Sequence, residues 1–162
     1  MGSLLDVLAR ENTAEEVARA LQEYRNFLIS AKARLPTSAY EFATAPWHYN
    51  YEDRRCPHDS WVESIMIREP SSGSREEFRD LEIVVRLLGA FHDGYLELVY
   101  TGVWSYSLAA NKSKAQIAHG DWLADEVSLS TDRSFLHEVL FGSGARWRIE
   151  SKDIHWTWTP TI

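Results

Sequence analysis

Residues 78–100 read FRDLEIVVRLLGAFHDGYLELVY, a run in which apolar and polar side chains alternate on both sides of Asp93-Gly94. In the first half, Leu81, Ile83, Val85 and Leu87 share one face. A period of two is typical of β-strands, and Asp-Gly between two such runs is a strong hairpin signal. We therefore predict an antiparallel hairpin with strands at 78–88 and 95–100.

The same period of two recurs over most of the chain after Pro36. It predicts further strands at 40–49, 61–67, 103–108, 122–129, 135–141, 146–150 and 154–158. Turn residues such as Thr101-Gly102 and Gly142-Ser143-Gly144 separate them. Together these strands predict a large, mostly antiparallel β-meander of about eight or nine strands, and a sheet of that size twists and curves.

The N-terminal part has a helical period instead. Apolar residues from Val17 to Leu35 recur at spacings of three and four, which predicts an amphipathic helix over 13–35. Thr13 and Glu16 fit a capping box, and Pro36 ends the pattern. Ser3 can cap a shorter helix at 3–10.

These segments predict an α+β fold in which the amphipathic helix packs on one face of the curved sheet. At 162 residues the chain is the size of one domain. We expect a single domain over 1–162, with a helical segment at 3–35 and the sheet at 38–159.

The chain is acidic, with a formal net charge of −7. Residues 1–36 contain equal numbers of acidic and basic side chains, so the excess lies in residues 37–162. An acidic body disfavours nucleic acid and anionic membranes as partners. It is compatible with a basic protein partner, and also with solubility alone.

Cys56 is the single cysteine, so no internal disulfide can form. With no leading signal pattern and no long apolar segment, this favours a reducing, cytoplasmic location. Arg54 and Arg55 precede Cys56, and nearby cations lower a thiol pKa. A nucleophilic role with His58 or His92 is one hypothesis, and an incidental loop cysteine is the other.

Three short His/Asp/aromatic elements lie where predicted loops meet strands. They are His58-Asp59-Ser60-Trp61, His92-Asp93-Gly94-Tyr95 and His119-Gly120-Asp121-Trp122. If neighbouring strands alternate in direction, all three lie at one end of the sheet together with His48. We call this predicted cluster the rim; its members are His48, His58, Asp59, His92, Asp93, His119 and Asp121.

The rim residues support two chemical hypotheses. Three imidazoles with carboxylates suit zinc or another divalent metal that activates water. Without a metal, a His–Asp pair can act as a general base. The alternative is structural, because Asp is a preferred residue in turns and caps its own backbone.

Aromatic residues and one long loop complete the candidate features. Most of the seven tryptophans are expected in the core. Trp61 and Trp122, next to the rim, are the candidates for contact with a partner. The loop 110–121 carries Lys112 and Lys114 and is either a lid over the rim or a simple connection.

Three stretches carry a resemblance: Cys56 to Trp61, Leu87 to Gly94 and His119 to Leu123. They resemble motifs of a family of small bacterial single-domain proteins with no assigned activity, over residues 56–158. In size and acidity the chain is also similar to bacterial toxin-immunity proteins. From the acidic, aromatic-rich sheet and the lack of a recognised catalytic motif, we expect a non-enzymatic, immunity-like domain that binds another protein without a cofactor. The alternatives are a metal-dependent or His/Asp acid–base enzyme, and a structural or oligomerising module.

Overall fold

A computed structural model describes residues 3–111, 118–131 and 133–162. Within these ranges, helices and antiparallel sheets form an α+β fold, as predicted. The helices are α1 (Leu4–Leu8), α2 (Ala14–Ala31) and α3 (Thr37–Ala43). The strands are β1 (Trp61–Arg68), β2 (Ser71–Ser72), β3 (Phe78–Arg79), β4 (Glu82–Leu88), β5 (Gly94–Thr101), β6 (Ser105–Leu108), β7 (Trp122–Leu129), β8 (Phe135–Phe141), β9 (Arg146–Ser151) and β10 (Asp153–Pro160).

The N-terminal helices begin as predicted. The Ser3 hydroxyl caps α1 by accepting from the Leu5 N–H. At the start of α2, the Thr13 hydroxyl accepts from the Glu16 N–H, and the Glu16 carboxylate accepts from the Thr13 N–H at 2.8 Å. This reciprocal pair satisfies two amides that a helix start leaves free. Helix α2 ends at Ala31, earlier than predicted, and a turn covers the remaining residues before α3.

The predicted strand at 40–49 is wrong, because α3 occupies residues 37–43 and turns follow it. Pro36 precedes α3 with extended backbone, a position that proline tolerates before a helix. The buried residues are Ala39, Phe42 and Ala43, whose spacings of three and four place them on one helical face. In the sequence, the alternation of Tyr40 and Phe42 indicated a strand, but the residues that become buried follow the helical spacing. The sheet region therefore begins at Trp61 rather than at residue 38.

The strands form two four-stranded sheets rather than one meander. The first sheet has the order β1-β4-β5-β10 and the second β6-β9-β8-β7, while β2 and β3 form a separate short hairpin. The chain changes sheet between β5 and β6 and again between β9 and β10. These two corners touch, since the Ser151 hydroxyl donates to the Thr101 carbonyl at 2.7 Å. Gly102 turns the first corner with a φ of 63°, a conformation that favours glycine.

The core lies between the helices and the inner faces of both sheets. Helix α2 contributes Tyr24 and Leu28, and α3 contributes Phe42, to a cluster that includes Leu98 and Trp147. None of the helices in the described ranges is long and apolar enough to span a membrane.

Candidate functional site

The backbone brings the first and third His/Asp/aromatic elements together. The Asp59 N–H donates to the Trp122 carbonyl at 2.9 Å, and the Trp122 N–H donates to the Ser60 carbonyl at 3.0 Å. These bonds join the start of β1 to the start of β7, although the two strands belong to different sheets. Asp59 has a φ of 62°, so its exposed side chain stands on a left-handed turn.

The second element lies beside the first. The His92 ring meets the Trp61 ring edge-on, with centroids 4.6 Å apart. His92 itself turns the β4–β5 hairpin, with a φ of 55°. The neighbouring Asp93 carboxylate faces Arg54 at 3.2 Å, so Asp93 is occupied by an ion pair with the loop before β1.

Within the first element, the His58 ring lies beside the carboxylate of the next residue, Asp59. Its Nδ1 lies 2.8 Å from the Leu123 carbonyl, so Nδ1 carries the proton. Its Nε2 lies 3.4 Å from the Asp59 carboxylate, and Tyr51 stacks on the ring with a centroid distance of 4.1 Å. The ring is thereby fixed at the surface in one orientation.

The third element borders a cleft. His119 packs edge-on against Trp147, and burial lowers the pKa of His119, so its imidazole is neutral at pH 7. Asp121 is exposed, and its carbonyl accepts from the Gly142 N–H at 2.8 Å. A cleft of about 650 Å³ lies between these residues and the start of β1, with Trp61 in its wall. The centre of the predicted loop 110–121, with Lys112 and Lys114, lies outside the described residues.

The rim elements are thus neighbours, but their side chains bind separate partners. Among the residues that the structure describes, no group of three or more His, Cys, Asp or Glu side chains is placed to hold a metal ion. The convergence that the zinc hypothesis requires is not seen in these residues. The general-base hypothesis retains one surface pair, His58 with Asp59.

His48 is not part of the rim, contrary to the prediction. It is buried in the core, where its Nε2 lies 2.7 Å from the carboxylate of Asp125. The same carboxylate oxygen lies 2.8 Å from Nε2 of His137, and the other oxygen accepts from the Trp122 indole N–H at 3.0 Å. Tyr100 extends the chain of contacts, with its hydroxyl 2.7 Å from Nδ1 of His137. We call these five residues the buried network.

Hydrogen-bond partners fix the protons of His48. Nδ1 of His48 faces the Phe42 carbonyl at 2.8 Å and Nε2 faces Asp125; both partners only accept, so His48 donates from both nitrogens and is an imidazolium. His137 donates from Nε2 to Asp125, and its Nδ1 lies 2.7 Å from the Tyr100 hydroxyl, a group that can donate or accept. The core therefore contains one ion pair between His48 and Asp125.

The pKa values of this pair follow from its surroundings. Burial alone would lower the pKa of His48, but the charge of Asp125, its hydrogen bond and the Phe42 carbonyl together raise it above the ordinary value. Burial alone would raise the pKa of Asp125, but His48 and the hydrogen bonds from both histidines hold it well below its usual range. Each partner thus keeps the other charged.

Trp122 and Cys56 also depart from the sequence predictions. Trp122 is 1% exposed and serves the buried network, so it offers no surface to a partner. Cys56 is buried, with its thiol 3.0 Å from the His48 carbonyl. Burial raises the pKa of the Cys56 thiol to about 11, which leaves it protonated at neutral pH. The predicted lowering of the Cys56 pKa by Arg54 and Arg55 does not occur. The hypothesis that Cys56 is a nucleophile is therefore wrong.

The outer face of the first sheet, which the sequence did not single out, carries apolar side chains that are exposed on β1 and partly exposed on β5. It lies opposite the inner residues of β4, such as the fully buried Val85. Strand register aligns its apolar side chains in two rows: Trp61–Leu88–Tyr95 and Met66–Val84–Val99. Trp61 is 49% and Met66 50% exposed.

Between these apolar rows lies a charged row. Arg86 is aligned with Glu97 on β5, and its guanidinium lies 2.6 Å from Glu63 on β1. The same guanidinium lies 4.1 Å from the centre of the Tyr95 ring, a cation–π distance. Arg86 is therefore held by β1 and β5 at the centre of this face.

The sequence does contain a signal for the buried network: polar residues at core positions of two predicted strands. Asp125 precedes Val127, and His137 stands between Phe135 and Val139, at core positions of an alternating strand. A polar side chain in such a position must find a buried partner. The partners come from three separate segments, so the signal indicates that a network exists but not which residues complete it.

Comparison with protein-family models, with curated proteins and with solved structures finds no match to this chain. The resemblance over residues 56–158 stays a prediction, and any function is argued from the residues themselves.

Proposed function

We propose that this chain is a non-enzymatic domain that binds another protein through the outer face of its first sheet. The supporting observation is the pair of apolar rows that start on β1, the edge strand of the first sheet, in which Trp61 and Met66 are about half exposed. Each row crosses three strands, and exposed apolar side chains grouped on one face are typical of interaction sites.

The composition of this face supports the proposal. Tryptophan, tyrosine, methionine and arginine are enriched where proteins meet. Here they occur together as Trp61, Tyr95, Met66 and Arg86. Because Tyr95 and Glu63 already hold Arg86, little side-chain entropy is lost when a partner contacts it.

Charge supports a basic partner. The net charge of the chain is −7, and Glu97 lies on this face with no ion pair among the described residues. A partner with lysine or arginine opposite Glu97 would gain an attractive contact and faster association. This also fits the similarity in type to immunity proteins.

Site-specific crosslinking tests the proposal. A photoreactive residue replaces Met66, or Gln22 on the exposed side of α2 as the matched control, and each variant is irradiated in an extract of the source organism. We expect one protein to be captured at position 66 and not at 22. The captured protein is then purified and titrated against Trp61→Ala and Gln22→Ala.

The proposal predicts a basic partner whose Kd rises at least about tenfold with Trp61→Ala and stays unchanged with Gln22→Ala, since a central tryptophan contributes about 2 kcal/mol or more. Equal capture at both positions, or a Kd insensitive to Trp61, would contradict it. Because Trp61 also borders the rim cleft, a large loss of affinity for His58→Gln would place the contact at the rim instead.

A further inference from the structure

A groove separates α2 from the chain that follows α3. Its volume is about 420 Å³, within the range of small-molecule sites. The walls are mainly apolar: Leu21, Leu28 and Ile29 come from α2, and Ala45 and Pro46 from the opposite side. Ile29 is 68% exposed. A large aliphatic side chain this open to water at a groove indicates a surface that an apolar ligand could cover.

Two tyrosines, Tyr24 and Tyr49, also line the groove, and both hydroxyls already make hydrogen bonds to β7. The Tyr24 hydroxyl accepts from the Val127 N–H at 2.7 Å, and the Tyr49 hydroxyl donates to the Asp125 carbonyl. Both hydroxyls are therefore engaged by the second sheet before a ligand binds.

Two side chains of the groove, Arg25 and Asn50, can donate to a ligand, whereas the Thr44 hydroxyl already donates to the Tyr40 carbonyl at 2.7 Å. Arg25 is the one charged residue among those that line it, and it forms no ion pair within the described ranges. Asn50 accepts from the Glu52 N–H through its side-chain oxygen, so its amide nitrogen remains to donate. The lining residues include no aspartate or glutamate, although the chain as a whole carries an excess of acids.

We infer that this groove binds an aliphatic carboxylate, with the chain between α2 and Ala45–Pro46 and the carboxylate toward Arg25 and Asn50. A guanidinium matches a carboxylate with two parallel hydrogen bonds. The apolar walls select a ligand with a hydrocarbon body over inorganic anions. A cationic amphiphile would meet Arg25 with like charge and no compensating acid. The inference is independent of the proposed protein-binding face, which lies on another element.

Three eight-carbon probes separate these effects: octanoate, 1-octanol and octylammonium. Each is titrated into the full chain, labelled with ¹⁵N, below its micelle concentration. We expect saturable octanoate binding, with shifted amide signals confined to residues 21–29 and 43–50. Octanol binds more weakly, and octylammonium more weakly still.

The variant Arg25→Gln is compared with Arg19→Gln, which removes a charge from α2 outside the groove, where Arg19 pairs only with Glu15. We expect Arg25→Gln to raise the Kd for octanoate at least about tenfold and to leave octanol unchanged. Arg19→Gln leaves both unchanged, and thermal unfolding confirms that both variants fold. Equal affinity for all three probes, no saturable binding, or an unchanged Kd in Arg25→Gln would overturn the inference.

Discussion

Asp125 joins three parts of the molecule through one side chain and one carbonyl. Its carboxylate accepts from His48, His137 and Trp122, and its carbonyl accepts from Tyr49. A carboxylate in the core is costly unless it is paired and fully hydrogen-bonded. Here both carboxylate oxygens accept hydrogen bonds, from three donors in all, and the charge has a counter-ion. The buried network is therefore structural in role and couples the segment after α3 to the second sheet.

Replacement of Asp125 by asparagine should strongly destabilise the fold. The change leaves the His48 imidazolium without a counter-ion and turns an amide N–H₂ toward another N–H donor. Loss of one partner of a buried pair costs about 3–5 kcal/mol. Urea unfolding measures the loss, with the exposed Asp121→Asn as control, expected within about 0.5 kcal/mol of the parent. A loss below about 1 kcal/mol for Asp125→Asn would contradict the assignment of charges.

Stability should depend on pH on both sides of a maximum. The folded-state pKa of Asp125 is lowered, so its contribution is present above the unfolded value and is lost as pH falls below about 4. The folded-state pKa of His48 is raised, so its contribution is complete below about pH 6.5 and is lost as pH rises through the folded pKa.

The free energy of unfolding is measured between pH 3 and pH 9. His48→Gln should remove the decline on the alkaline side, whereas the exposed His155→Gln should retain it. A flat profile above pH 6.5 in the parent protein would show that His48 is not held as an imidazolium.

At the scale of elements, a short segment forms a helix or a strand according to the spacing of its buried residues, which is three and four in a helix and two in a strand. In α3 the buried residues are Ala39, Phe42 and Ala43, and Tyr40 is only half-buried. A strand would instead put Tyr40 and Phe42 on the same face. The two arrangements therefore predict different costs of truncation at neighbouring positions.

Phe42→Ala should cost about 3–5 kcal/mol of unfolding free energy, because the ring is fully buried and packs against Trp47 and His48. Tyr40→Ala should cost much less, since its ring is partly in water beside Lys32. Chemical denaturation of both variants tests this. Similar large losses at both positions would favour the strand.

Gly94 lies where β5 begins against β10, and a Cβ there would overlap the Trp158 ring. Gly94→Ala should therefore destabilise the protein by about 1–3 kcal/mol. Gly142→Ala is the matched control, because its Cβ would meet only the Asp121 carbonyl oxygen at an ordinary 3.7 Å. In a Trp158→Leu background the cost at Gly94 should shrink, a coupling that a double-mutant cycle measures. Equal costs in both backgrounds would exclude the overlap.

At the scale of the whole molecule, the strands were predictable and their partners were not. Strands β7 and β8 have the predicted bounds, because alternation is a local property of the sequence. Thr101-Gly102 was correctly identified as a bend, but β6 pairs with β9 instead of β5. Pairing is decided by distant segments, so a local turn signal cannot distinguish a hairpin from a corner between two sheets.

For the candidate sites too, the sequence indicated the local elements but not the long-range contacts between them. The rim elements lie side by side as expected, but through the β1–β7 backbone bonds rather than through a continuous meander. The outer face of the first sheet depends on which side of β4 the helices cover. Alternation indicated that Ile83, Val85 and Leu87 face inward, but the rows on the outer face depend on strand pairing, which alternation alone does not give.

Hydrogen exchange with the captured partner tests the protein-binding proposal most directly. Amide exchange is compared for the free chain and the complex, peptide by peptide. We predict slower exchange in residues 61–68 of β1 and 94–101 of β5 on binding, with α2 unchanged. Protection confined to residues 58–59 and 118–121, with β1 unaffected, would contradict the assignment of the outer face as the binding surface.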